Sequence, residues 1–135
     1  MDRDHVGAAA SGLEGYIAAV IDQLGEVVVA ADCEADHELA TAIIILTCRI
    51  PAIPECELLL SWDEINGWAL RVKVDEDGDT TAFAYAAREV LPPPRDVQRF
   101  LTDAVRGEHP GTVAAPNFRS PQDDDDLQRR LLEFA

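Results

Sequence analysis

The sequence predicts an α+β domain: a helix, a five-stranded antiparallel meander, a second helix, an extended strap and a short C-terminal helix. The two long helices are expected on one face of the sheet. Three observations carry this expectation. Apolar residues recur at spacings of three and four over residues 13–24 and again over 97–105. Between these stretches the apolar period shortens to two over five short runs. No connection between consecutive runs is long enough for a crossover helix, which leaves antiparallel neighbours. A chain of 135 residues can close one core and no more. The expected organisation is a flexible leader over residues 1–10, a core domain over 11–107, and a strap with a short helix over 108–135 that packs on the core.

Ser11-Gly-Leu-Glu14 has the form of a capping box, so the first helix is expected to start there. Leu13, Tyr16, Ile17, Val20, Ile21 and Leu24 form its apolar stripe, and Gly25 stops it. Strands are expected over Glu26–Cys33, Thr41–Cys48, Glu57–Trp62, Trp68–Val74 and Thr81–Ala86, with Pro51 and Pro54 interrupting the chain before the third.

Burial decides the register at one hairpin. A two-residue turn at Asn66-Gly67 would oppose Trp62 to Arg71, whereas a loop over Asp63–Gly67 opposes Trp62 to Trp68 and Leu60 to Leu70. The longer loop follows. At the next hairpin, a two-residue Asp77-Gly78 turn would oppose Val74 to Thr81, Val72 to Phe83 and Leu70 to Tyr85. Leu58, Leu60, Trp62, Trp68, Leu70, Val72, Phe83 and Tyr85 would then face the helices. The reverse face would carry Ala69, Arg71, Lys73, Ala82, Ala84 and Ala86. Leu91-Pro92-Pro93-Pro94 presets a second helix with Val97, Phe100, Leu101, Ala104 and Val105 inward and Gly107 at its end. After the proline-containing strap, Asp123–Asp126 precede a short helix with Leu127, Leu131 and Phe134 on one side, a favourable placement of acids at a helix start.

Eleven basic residues against 26 acidic ones give a formal net charge of -15. Such a field repels nucleic-acid phosphate and anionic lipid, so neither is an expected partner. No apolar run reaches the length of a membrane span, and the charged amino end has no signal-like core, so a cytoplasmic location is expected. Cys33, Cys48 and Cys56 are then reduced thiols.

The candidate chemical constellations fail on spacing or identity. Cys33, His37, Cys48 and Cys56 supply zinc-ligand types, but without the compact C-x2-C spacing of a zinc knuckle. Asp75–Asp79 has the composition of a calcium loop. Aligning Gly78 with the loop glycine puts Lys73 and Ala84 where the first and last carboxylates belong. Asp63 and Glu64 are adjacent loop acids, expected to be solvated. No nucleophile elbow or phosphate-cradling glycine loop is present, and His5, His37 and His109 fall in the leader, a turn and the strap. No catalytic residue, metal or cofactor is assigned, and an enzyme is disfavoured. What remains are surfaces: Ala69, Arg71, Lys73, Ala82, Ala84 and Ala86 on the reverse sheet face, and Arg95, Arg99 and Arg106 near one face of the second helix.

Taken in order, the W-x5-W hairpin (Trp62-Asp63 to Gly67-Trp68-Ala69-Leu70), the L-P-x-P segment Leu91-Pro92-Pro93-Pro94 and the closing Leu127-x3-Leu131 resemble a family of small acidic actinobacterial proteins, a domain of unknown function. The resemblance runs from about Tyr16 onward. It implies an actinobacterial, cytoplasmic protein and transfers no catalytic or binding residue. The α–β5–α order is also similar in outline to secretion-chaperone-like and profilin-like folds, which implies a protein-binding module and a dimer. The expected function is a non-enzymatic interaction or regulatory module, homodimeric through the reverse sheet face or an edge strand. A small-anion or metabolite binder using that face, and an acidic mimic of nucleic acid, are the alternatives.

Overall fold

A computed structural model describes residues 2–35, 40–75, 77–86, 89–108, 111–119 and 127–134. Helix α1 runs over Asp2–Leu24 and passes through a short 3-10 turn, Gly25–Val27, into β1 (Val28–Ala35). Strands β2 (Ala40–Leu46), β3 (Leu58–Asp63), β4 (Gly67–Lys73) and β5 (Thr80–Tyr85) follow, then α2 (Pro94–Val105) and α3 (Leu127–Leu132). The sheet order is β1-β2-β3-β4-β5, every pair antiparallel. The fold is therefore α+β, with the five-stranded meander that the periods predict.

Ser11 lies inside α1, nine residues past its first residue, so Ser11-Gly-Leu-Glu14 is not a cap. Three alanines just before it are strong helix formers and carry the helix upstream. The stop is where the glycine sets it, with Gly25 at a φ of 72°.

One cluster forms the core. Leu13, Tyr16, Ile17 and Val20 of α1 and Val97, Phe100, Leu101 and Ala104 of α2 join Ala42, Ile44, Leu58, Leu60, Trp62, Trp68, Leu70 and Val72 of the sheet. The β3–β4 register is the one that burial demands, with Trp62 opposite Trp68 and Leu60 opposite Leu70. Both indoles find acceptors, as buried indoles must. Trp62 Nε1 donates to the Val90 carbonyl at 2.6 Å, and Trp68 Nε1 donates to the Tyr16 hydroxyl at 3.1 Å. Tyr16 in turn donates to the carbonyl of Pro92. The proline segment is thus tied to α1 and to both tryptophans before α2 begins.

The β4–β5 hairpin corrects the expected register. Four residues, not two, separate the hydrogen-bonded pair Val74 and Asp79, and the Asp75 carboxylate accepts the Asp79 N–H at 3.1 Å. Val72 then faces Thr81 and Arg71 faces Ala82. Between Arg71 and Leu70 the register slips by one at Phe83, and Leu70 faces Ala84. Such a bulge breaks the strand's alternation. Phe83 still packs against the core, Ala84 joins it at 1% exposure, and Tyr85 moves to the reverse face opposite Ala69.

Helix α3 packs on α1. Its Leu127 and Leu131 are buried, and the Phe134 ring meets Tyr16 edge-on at 5.0 Å. Gly12 and Gly15 make this approach feasible, because a Cβ on them would stand 2.3 Å and 1.7 Å from the carbonyl oxygens of Leu131 and Phe134. Arg130 fixes the other side by pairing with Glu89 and donating to the Leu91 carbonyl. Asp123–Asp126 lie outside the described residues. No helix among the described residues is long and apolar enough to cross a membrane.

Candidate functional site

Residues of both long helices share one core cluster with the inward-facing side chains of the sheet, which leaves the reverse face as the candidate surface. Strand alternation and the pairings assign it. Its rows run Glu34–Thr41–Asp63, Asp32–Ile43–Ser61–Ala69–Tyr85 and Ala30–Ile45–Leu59–Arg71–Ala82, with Lys73–Thr80 beyond them. Three successive isoleucines in β2 cannot all point inward. Ile44 is fully buried, while Ile43 and Ile45 are 47% and 42% exposed on β2, the strand beside the β1 edge. A bulge near the start of β1 adds Val29, 61% exposed. None of the described helices covers this strip.

Charge divides the face. Asp32 and Glu34 lie on the β1 flank, and Arg71 and Lys73 lie on the β4 flank. Arg71 Nε donates to the Thr80 hydroxyl at 2.8 Å, and Lys73 stands 3.6 Å from the Glu57 carboxylate. Arg71 is anchored by Thr80, whereas the Lys73–Glu57 pair lies in solvent. Ala69 is 2% exposed beside Tyr85, whose backbone pairs with Thr112 of the strap through bonds of 2.7 and 2.9 Å. The strap thus occupies the β5 edge at Tyr85, while Ile43 and Ile45 stay exposed on β2.

The other candidates disperse. Ala84 is a core residue and Ala86 packs against the core, so neither belongs to the reverse face. Arg95, Arg99 and Arg106 are exposed on or beside α2, in the helical layer, and share no surface with Arg71 and Lys73. Cys33, Cys48 and Cys56 are half-buried free thiols. Burial pushes the Cys33 and Cys48 thiols up, with Glu14 and Asp32 adding to the shift at Cys33. Among the described residues no group of three His, Cys, Asp or Glu side chains could hold a metal, and His37 lies outside them. A cleft of about 230 Å³ between the end of α1 and α2 is lined by Leu24, Val27, Cys48, Leu101 and Val105 with Gln98, Thr102 and Arg106. That volume is below the usual range for a small-molecule site.

Glu64 corrects the expectation of a solvated loop acid. Its side chain is 12% exposed, with Oε1 paired to Arg119 and Oε2 accepting the Ala40 N–H at 2.8 Å. Asp63 caps the turn by accepting the N–H groups of Ile65 and Asn66 at 2.8 and 2.7 Å. Ile43, Ile45, Glu64 and Arg119 are the residues that sequence reasoning missed as candidates. The isoleucine triplet carried a legible signal, since alternation must turn one set outward. The Glu64–Arg119 pair spans 55 positions and left none.

Residues 16–103 match the Family of unknown function (DUF6292). The chain belongs to that family. The DUF6292 span begins at Tyr16, whose hydroxyl links Trp68 to the proline segment, and ends within α2. It takes in the whole sheet and leaves out the strap and α3. The chain matches no curated protein and no solved structure.

Proposed function

We propose that this chain is a non-enzymatic interaction module that pairs with a second copy of itself through the reverse sheet face. The observation that carries the reading is the exposed isoleucine pair, Ile43 and Ile45, on β2 of that face. A broad apolar sheet face left in water favours association. The flanking charges favour a second copy as the occupant. A two-fold axis lying in the face and running diagonally to the strands would set the acidic corner, Asp32 and Glu34, of one copy against the cationic corner, Arg71 and Lys73, of the other, with Ile45 near the axis between them.

The edges are poorer docking sites. Thr112 pairs with β5, while β1 carries a bulge and two acids, both of which discourage strand addition. Five strands about 4.8 Å apart and roughly 20 Å long give a projected face of roughly 500 Å², at the small end for a specific interface. Association in the micromolar range is expected. A free small anion at Arg71 and Lys73 is less supported, because Thr80 and Glu57 already engage them. Mimicry of nucleic acid is weakened by those same cations interrupting the acidic surface. A cytoplasmic setting accords with three free thiols.

A charge-exchange experiment tests the reading. Arg71→Glu and Asp32→Arg should each weaken self-association at least tenfold, and mixing the two variants should restore pairing as a heterodimer. Both variants associating like the parent would refute the arrangement.

A further inference from the structure

The turn between β3 and β4 has contacts of its own besides those with the segment that covers it. Asp63 caps it from within, Glu64 is held to β2 by the Ala40 N–H, and Gly67 takes a φ of 72° that other residues resist. All of these residues lie within the family span, 16–103. The segment laid across the turn, residues 112–119, lies outside it.

The contacts of that segment have the form of a bound extended peptide, in which main-chain bonds set the register and a few side chains are read. The Phe118 N–H donates to the Ile65 carbonyl at 2.8 Å, and the Asn66 side-chain amide donates to the Pro116 carbonyl at 2.6 Å. The Phe118 ring fills the notch over Gly67, 3.0 Å from where a Cβ would stand. Any side chain at 67 would close that notch. Arg119, 8% exposed, pairs with the prefixed Glu64 carboxylate.

We propose that the β3–β4 turn is a recognition site for extended segments of the form Pro-x-aromatic-Arg, occupied here by the chain's own residues 116–119. The site reads an aromatic ring through the Gly67 notch and a guanidinium through Glu64. Tethering favours the internal segment over a free one, so a partner's segment gains access when the strap lifts. The net charge of -15 draws basic segments toward the turn.

The test uses the full chain and a fluorescent peptide of residues 112–119, Thr-Val-Ala-Ala-Pro-Asn-Phe-Arg, followed by anisotropy. A strap-release variant, Phe118→Ala with Arg119→Glu, should bind the peptide at least tenfold more tightly than the parent. Adding Glu64→Gln should remove that gain, since it keeps an acceptor for Ala40 and deletes the charge. Arg119→Gln alone, a milder change, should move affinity in the same direction by a smaller factor. Peptide binding no tighter to either strap variant than to the parent would overturn the proposal. So would equal binding of a peptide with its Phe and Arg replaced by Ala.

Discussion

Tyr16→Phe removes one oxygen from the centre of the core and leaves two buried groups without their partner. The Pro92 carbonyl loses its donor and the Trp68 indole N–H loses its acceptor. Each orphaned group costs about 1–3 kcal/mol, and the phenol no longer pays its own desolvation, so a net loss of about 2–4 kcal/mol is expected. Against a total stability of roughly 5–15 kcal/mol this is a large fraction. Urea unfolding at neutral pH should show the midpoint falling by about 1–2 M with the slope unchanged. Because Trp68→Phe deletes the donor of the same bond, the double variant should lose less than the two single losses added together. A Tyr16→Phe midpoint within about 0.2 M of the parent, or strict additivity with Trp68→Phe, would refute the assignment of this hydroxyl as the link between α1, β4 and the proline segment.

The same residue sets an alkaline limit. Burial raises the Tyr16 pKa well above the ordinary 10.0, so the unfolded chain releases this proton at a pH where the folded chain keeps it. The stability tied to the neutral phenol is complete below that ordinary value and declines as pH climbs past it, and Tyr16→Phe should lack this component in urea titrations above pH 10.0. Gly15→Ala drives a Cβ into the Phe134 carbonyl oxygen, so α3 should detach or shift, at a cost of about 1–3 kcal/mol, with increased protease cleavage around residues 127–134 as the readout. Gly67→Ala meets both the left-handed backbone and the Phe118 ring, and should lower stability by about 1–2 kcal/mol while increasing hydrogen exchange at the Phe118 amide.

Much of the fold was legible because local rules and burial agreed. Periods and turn residues located all five strands, and the two tryptophans fixed the β3–β4 register because only one alignment buried both. The β4–β5 hairpin was less legible. Asp77-Gly78 resembles a two-residue turn, yet the Asp75 carboxylate organises a longer loop and the bulge beside Phe83 exchanges Tyr85 for Ala84 in the core. Alternation alone carries no information about where an extra residue is inserted. The start of α1 was misplaced because Ser11 and Glu14 have cap chemistry within a helix that good helix formers extend upstream.

The residues expected on the reverse face divide between that face and the core. Ala69, Arg71, Lys73 and Ala82 belong to the face, but its exposed apolar pair is Ile43 and Ile45 on β2. Alternation along β2 turns Ile43 and Ile45 outward and Ile44 inward, as it turns Ala69 and Arg71 outward on β4. The strap anchors were out of reach for another reason, since contacts such as Asn66 to Pro116 depend on a return of the chain that no local pattern encodes.

Sedimentation equilibrium from about 1 to about 500 μM tests the central claim most directly, because that range brackets micromolar association. The parent chain should approach twice its 14.7 kDa mass as concentration rises, and Ile45→Glu should remain at 14.7 kDa throughout while retaining the far-ultraviolet spectrum of the parent. A parent that stays at 14.7 kDa across the whole range, or an Ile45→Glu chain that associates as the parent does, would contradict it.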